Sequence, residues 1–186
     1  MSQCVENLTT SKVRQLLQEL SQKEVFLCEK RAVYEFAKLL EQSGYTIFLE
    51  YPYKFDSKYV YEDIRVEAPN GLFVFEFKYC PSNIHVSHGI MNAKSRNKSS
   101  ASKRFSDFFN DIHRTLQITK ENSSIKKGFC IFITNQTNII QYIDKGLEKT
   151  SLKSKWQIFK KDINKSKDLY LLLVPVSKNT FYRTWI

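Results

Sequence analysis

Two carboxylates and a lysine stand at strand spacing in Tyr61-Glu62-Asp63-Ile64-Arg65-Val66-Glu67-Ala68, Pro69-Asn70-Gly71, Leu72-Phe73-Val74-Phe75-Glu76-Phe77-Lys78. Asp63 and Glu76 are hard oxygen donors. Mg²⁺ needs only one or two carboxylates beside its waters and a substrate phosphate. A metal held by such a pair polarises a phosphodiester and lowers the pKa of a bound water. Lys78 follows Glu76 by two residues and so shares its strand face. It could orient an attacking water or stabilise charge on the phosphorane. The Phe77 carbonyl between them is a further candidate ligand. The competing reading is a cross-strand ion pair on a solvated sheet face, and the Phe-rich, central-looking strand weighs against it.

These residues need a hairpin to bring them together. Asn-Gly between two β-rich runs predicts one, with Asn70 and Gly71 as the turn. That register pairs Ile64, Val66 and Ala68 with Phe77, Phe75 and Phe73 on one apolar face. It sets Asp63 across from Lys78 and diagonal to Glu76 on the other. A slip of one residue would bury charge and expose Phe.

A helix before the hairpin adds a third carboxylate. On a helical wheel Val33, Phe36 and Leu40 lie within roughly 40° of Glu29, at about 100° per residue. Glu29 thus sits in an apolar stripe, where an unpaired carboxylate is costly. It reaches the metal site, or it meets a core Arg or Tyr; both readings stay open. Glu35 falls off the stripe and is the second choice.

The remaining chain predicts the frame. A short helix spans Thr9 or Thr10 to Leu20, and a second runs from about Gln22 to Gln42, closed by Ser43-Gly44. Tyr45 to Tyr53 reads as a strand ending near Pro52. A polar stretch without clear period covers Pro81 to about Ser102. A helix follows over roughly Lys103 to Lys120, with Phe105, Phe108, Phe109, Ile112 and Leu116 as its stripe. Gly128 to Thr134 is a buried strand, Asn138 to Thr150 a helix, and Leu169 to Val176 a last strand limited by Pro175. The order α, β, β, β, α, β, α, β predicts an α/β (α+β) domain with a mixed central sheet flanked by helices.

Asp63, then Glu76-Phe77-Lys78 about a dozen residues on, with a preceding helical glutamate and this element order, resembles the PD-(D/E)XK nuclease superfamily. The resemblance implies a restriction-endonuclease-like αβββαβ core over about 22–134, inside a single domain over 1–186 that adds a C-terminal helix and strand. It implies Asp63 and Glu76 as metal ligands, Lys78 as the catalytic lysine and Glu29 as the helix glutamate. Glu62 stands where the motif has Pro. The implied activity is metal-dependent endonucleolytic hydrolysis of DNA, with Mg²⁺ as cofactor and Mn²⁺ able to substitute. A small restriction-type or mobile-element nuclease is nearest. Restriction-like cutting of both strands would imply a homodimer. The alternative is a non-catalytic nucleic-acid-binding domain of the same fold. A third class is an interaction protein whose basic face meets an acidic partner.

Charge agrees with a polyanionic partner. The 186 residues carry a formal net charge of +10. The run from Lys94 to Arg104 holds five basic residues and no acidic one. Lys94, Arg96, Lys98, Lys103 and Arg104 are the expected contacts to the backbone of DNA, with RNA left open. A solvated loop is the plainer reading of the same run. The lysines from Lys149 to Lys167, which alternate with Trp156, Ile158 and Phe159, mostly face water.

Other residue clusters point to less. Cys80, His85 and His88 lack a fourth partner for zinc. His113 reads as a surface histidine. Asp107 and Asp111 could support the site, and more simply pair with Lys103, Arg104 or Arg114. Cys4, Cys28, Cys80 and Cys130 are scattered, as reduced thiols of a cytoplasmic protein would be. A polar N-terminus and the lack of a membrane-spanning apolar run predict a soluble intracellular protein with no membrane partner.

Overall fold

The computed structural model describes residues 5–22, 28–55, 57–80, 84–86, 89–91, 98–134, 136, 140–141, 143, 157–163 and 167–180. At positions 55, 84–86, 89–91, 98–105, 157–163 and 167–169 it describes the backbone.

The chain is α+β. Its helices are α1 (Thr10–Gln22), α2 (Glu29–Gln42) and α3 (Lys98–Glu121). Its strands are β1 (Thr46–Phe55), β2 (Lys58–Ala68), β3 (Gly71–Tyr79), β4 (Ile84–Val86), β5 (Gly89–Met91), β6 (Ile125–Thr134), β7 (Gln157–Ile163) and β8 (Lys167–Val176). Six strands form one mixed sheet in the order β1-β2-β3-β6-β8-β7, and β4 pairs with β5 apart from it. β1, β2 and β3 form an antiparallel meander. β3 and β6 are parallel, as a crossover through α3 requires. β8 then runs antiparallel to both β6 and β7.

Strand alternation divides the core into two layers. Ile64, Val66, Phe73, Phe75, Phe77, Phe129, Ile131, Leu171 and Leu173 face α1 and α2, where Leu16, Leu17, Leu20, Phe36 and Leu40 meet them. Cys130, Phe132, Leu172, Val174 and Val176 face α3, where Phe108, Phe109, Ile112 and Leu116 meet them. α3 comes close to β6 because position 128 has no side chain. A Cβ on Gly128 would lie 2.0 Å from Thr115 Cγ2.

Several expectations need correction. The hairpin turn is Pro69-Asn70, closed by Ala68 opposite Gly71. Ile64 therefore faces Phe75, and Val66 faces Phe73. Asp63 does not lie across from Lys78. The difference from the expected register is two residues, which preserves both faces, so the hydrophobic pattern could not choose between them. Local geometry does choose. Gly71 takes φ +127°, a conformation that side chains avoid. Asn70 is held by Leu8: its Oδ1 accepts the Leu8 N–H at 3.0 Å and its Nδ2 donates to the Leu8 carbonyl at 3.1 Å.

β1 continues past Pro52 to Phe55, because it is the edge strand and a missing N–H costs nothing on its open side. Pro175 is tolerated in β8 for a similar reason, since β7 pairs only as far as Leu173. α2 starts at Glu29 rather than at Gln22, which is the last residue of α1. α3 starts at Lys98, earlier than the expected Lys103, so Lys98 joins Lys103 and Arg104 on the helix rather than lying in the polar stretch. β7, β4 and β5 lie in segments not read as strands. Of the expected helix over Asn138 to Thr150, residues 140, 141 and 143 are described, and they are helical.

Candidate active site

The site forms where β2 leaves β3. Their ladder is paired from Ala68–Gly71 up to Ile64–Phe75. Beyond that point the β3 N–H groups facing β2 need other acceptors. The Phe77 N–H donates to Asp63 Oδ2 at 2.6 Å, and the Tyr79 N–H donates to Glu29 Oε2 at 2.7 Å. Two carboxylates thus take over from the departing strand. In an extended strand the N–H and C=O of one residue point to the same edge. The Phe77 carbonyl therefore lies on the edge that Asp63 caps.

Asp63 sits at a break in the regular pleat. The β1–β2 ladder skips Glu50 and Asp63, and Glu50 has φ +48°. Past this point the face alternation of β2 is reset. Glu62 and Arg65, three apart, consequently meet in a buried two-point ion pair at 2.7 and 2.8 Å, with the guanidinium 3.7 Å from the centroid of Tyr51. Glu29 is placed by the first turn of α2, and Phe36 and Leu40 on the same helix anchor that helix in the core. A carboxylate in a first turn also gains from the helix dipole. Glu35 lies elsewhere, bound to Arg31 at 2.8 Å.

α3 supplies residues that the hairpin alone did not reveal. Lys78 Nζ is 3.2 Å from Asp111 Oδ2. Arg114 Nη2 bridges Glu76 Oε2 at 2.8 Å and Asp111 Oδ1 at 3.1 Å. Asp111 therefore pairs with Arg114, as one expectation had it, and also with Lys78. Glu76 is buried, and its Oε1 has no hydrogen-bond partner among the described residues.

The charges in this cluster disturb one another. Burial raises the Asp63 pKa to about 6; the Phe77 N–H opposes the rise, Glu29 and Asp111 add to it, and Lys78 opposes it. Burial pushes Glu76 well above the carboxylate range, with Arg114 acting against the rise and Asp63 and Asp111 reinforcing it. Burial also raises Asp111, against the pull of Lys78 and Arg114. Burial alone would lower Lys78, yet Asp111, Glu29 and Asp63 outweigh it and hold the ammonium above the lysine range. Four carboxylates (Glu29, Asp63, Glu76, Asp111) thus meet two cations (Lys78, Arg114), leaving two formal negative charges.

That surplus and the bare Glu76 Oε1 fit a divalent cation. Asp63, Glu76 and the Phe77 carbonyl offer the hard oxygens that Mg²⁺ takes. Among the described residues no group of three or more His, Cys, Asp or Glu side chains converges closely enough to hold a metal by itself. A Mg²⁺ site on one or two carboxylates does not require such a group.

The other expected contacts are not among the described side chains. Lys94 and Arg96 lie outside the described residues, as do the side chains of Lys98, Lys103 and Arg104 on α3. His88 and Cys4 lie outside them too, and His85 is described as backbone in β4. Cys80 and Cys130 are buried, while Cys28 is exposed. No helix among the described residues is long and apolar enough to cross a membrane. Comparison with protein-family models, with curated proteins and with solved structures finds no match to this chain.

Proposed function

We propose that the protein is a metal-dependent nuclease of the restriction-endonuclease-like fold, hydrolysing DNA phosphodiester bonds. The observation that carries this reading is the cluster at the β2–β3 fork: four carboxylates against two cations, one of them Lys78, with one carboxylate oxygen of Glu76 unbonded among the described residues. A purely structural ion-pair network has no need of either the surplus or the bare oxygen. The element order supports the same reading. A helix, an antiparallel meander, a crossover helix and a parallel fourth strand match the core that the sequence resemblance implies.

In this reading Asp63, Glu76 and the Phe77 carbonyl hold Mg²⁺, or Mn²⁺ in its place. When bound, the metal polarises the scissile phosphate and lowers the pKa of a coordinated water. The chain's own residues do the positioning. The Phe77 N–H fixes the Asp63 carboxylate, and the Tyr79 N–H fixes Glu29 beside it. Asp111 holds the Lys78 ammonium, charged, at the site. Lys78 can then orient a water or stabilise charge on the phosphorane. Arg114 holds one oxygen of Glu76 in place and acts against the burial that favours its protonated form.

One observation favours a second reading, a non-catalytic nucleic-acid-binding domain. Lys78 and Arg114 already neutralise Asp111 and one oxygen of Glu76. Incubation with plasmid and branched DNA, with Mg²⁺ or chelator, separates the two. The nuclease cuts only with metal, and the binding domain shifts DNA in a gel without cutting it.

A further inference from the structure

The outer half of the β1–β2 hairpin carries the most exposed aromatic rings among the described residues. Tyr59 is 68% exposed and Tyr61 61%. Neither side chain has a hydrogen-bond or ring partner among the described residues. Cross-strand pairing sets Lys54 against Tyr59 and Pro52 against Tyr61, so the four share one face of a two-stranded arm. Two large rings left in water at neighbouring positions of one face call for an occupant.

We infer that Tyr59 and Tyr61 are a stacking platform for unpaired nucleic-acid bases, so the substrate class is single-stranded or branched DNA rather than uninterrupted duplex. The inference rests on the nuclease reading for its choice of nucleic acid as the ligand. Three observations favour that ligand. The cations around the rings are open while the anions are engaged. Lys54 and Lys58 are exposed, whereas Glu50 is bound to Lys30 at 3.4 Å and Glu62 is buried against Arg65. Asp56 at the tip lies outside the described residues. Continuity is the second. Tyr61 precedes Asp63 by two residues on β2, so its ring stands about 7 Å along the strand from the carboxylate cluster.

Spacing is the third observation. Alternate residues of a strand stand about 7 Å apart, roughly twice the 3.4 Å rise between stacked bases of a duplex. Two rings at that spacing leave room for one flat base between them, about 3.4 Å from each, which a base unstacked from its neighbours can enter. They suit bases already spread apart, each ring taking one face, as in sequence-tolerant single-strand binding.

The test is fluorescence anisotropy with a labelled oligothymidylate of about 12 nucleotides and a duplex of equal length, in chelator so that nothing is cut. The single strand should bind the wild type and lose about ten-fold or more in affinity with Tyr59→Ala/Tyr61→Ala. Tyr59→Phe/Tyr61→Phe keeps the rings and should stay within about two-fold of wild type. Duplex binding should change little in either variant. Exposed side chains of this kind leave the fold intact, which far-UV circular dichroism checks. A double Ala variant that binds the oligothymidylate like wild type overturns the inference. So does a wild type that does not bind it, or an equal loss on single strand and duplex. Loss of self-association in sedimentation with unchanged DNA affinity would assign the rings to a second copy and also overturn it. Ring-dependent binding by a protein that never cuts with Mg²⁺ would remove the nuclease reading and leave the platform standing.

Discussion

Arg114 on α3 holds Glu76 on β3 through a single contact, Nη2 to Oε2 at 2.8 Å, and leaves Glu76 Oε1 buried without a partner among the described residues. A buried carboxylate in that position depends on its one cation. Arg114→Ala should lower stability by about 3 kcal/mol, because buried Glu76 and Asp111 both lose their contact with the guanidinium. In a Glu76→Gln background the same change should cost less, by about 1 kcal/mol or more, since only the Asp111 contact is then lost. Urea denaturation of the four proteins gives the coupling as a double-mutant cycle. Equal losses in both backgrounds would mean that the pair is not coupled.

Asp63 gives a pH dependence with a definite sign. Its pKa in the folded protein is about 6, against an ordinary 3.8. The folded state therefore holds the proton more tightly than the unfolded state does. The group weakens the fold as pH rises from about 4 to about 6, and the full penalty persists above that window. Asp63→Asn should accordingly stabilise the metal-free protein at about pH 7.5 by about 1–3 kcal/mol, with the gain vanishing below about pH 4. Asn keeps an oxygen to accept the Phe77 N–H. Thermal unfolding in chelator across this pH range measures the difference, and a variant less stable than wild type at neutral pH would contradict it. A proposed metal ligand that costs stability fits the expected trade between activity and fold.

The parts of this arrangement that the sequence revealed are those with a period. Alternation in β2 and β3 identified which residues face the core, and Ile64, Val66, Phe73 and Phe75 do so. The stripe of α3 was legible from Phe108, Phe109, Ile112 and Leu116. Three things had no periodic signal. A two-residue change of register leaves every face unchanged, so the place of Asp63 relative to Lys78 was not readable. The skipped pair Glu50 and Asp63 resets the pleat without a Gly or Pro to mark it. Asp111 and Arg114 were visible as a spacing of three on a helix, but only the packing of α3 on β3 and β6 shows that they point at Glu76 and Lys78. β7 was missed because Lys160 and Lys161 interrupt its apolar residues at an edge position of the sheet.

Metal binding should be measurable without any reaction. A cation that binds only the folded site stabilises it by about 2.7 kcal/mol at a hundred times its Kd. Mg²⁺ or Ca²⁺ should raise the Tm of the wild type, and the rise should disappear in Asp63→Asn and in Glu76→Gln. Lys78→Ala should keep it, since Lys78 is not a proposed ligand. A rise of equal size in both carboxylate variants would place the metal elsewhere.

The most direct test is cleavage itself, followed with a supercoiled plasmid and a branched oligonucleotide at fixed protein concentration. Wild type should cut in Mg²⁺ and stop in chelator. Glu76→Ala should abolish cutting, and Lys78→Ala should reduce it by at least about 100-fold, both without loss of DNA binding. Cutting by Glu76→Ala at the wild-type rate, or by wild type in chelator, would contradict the account.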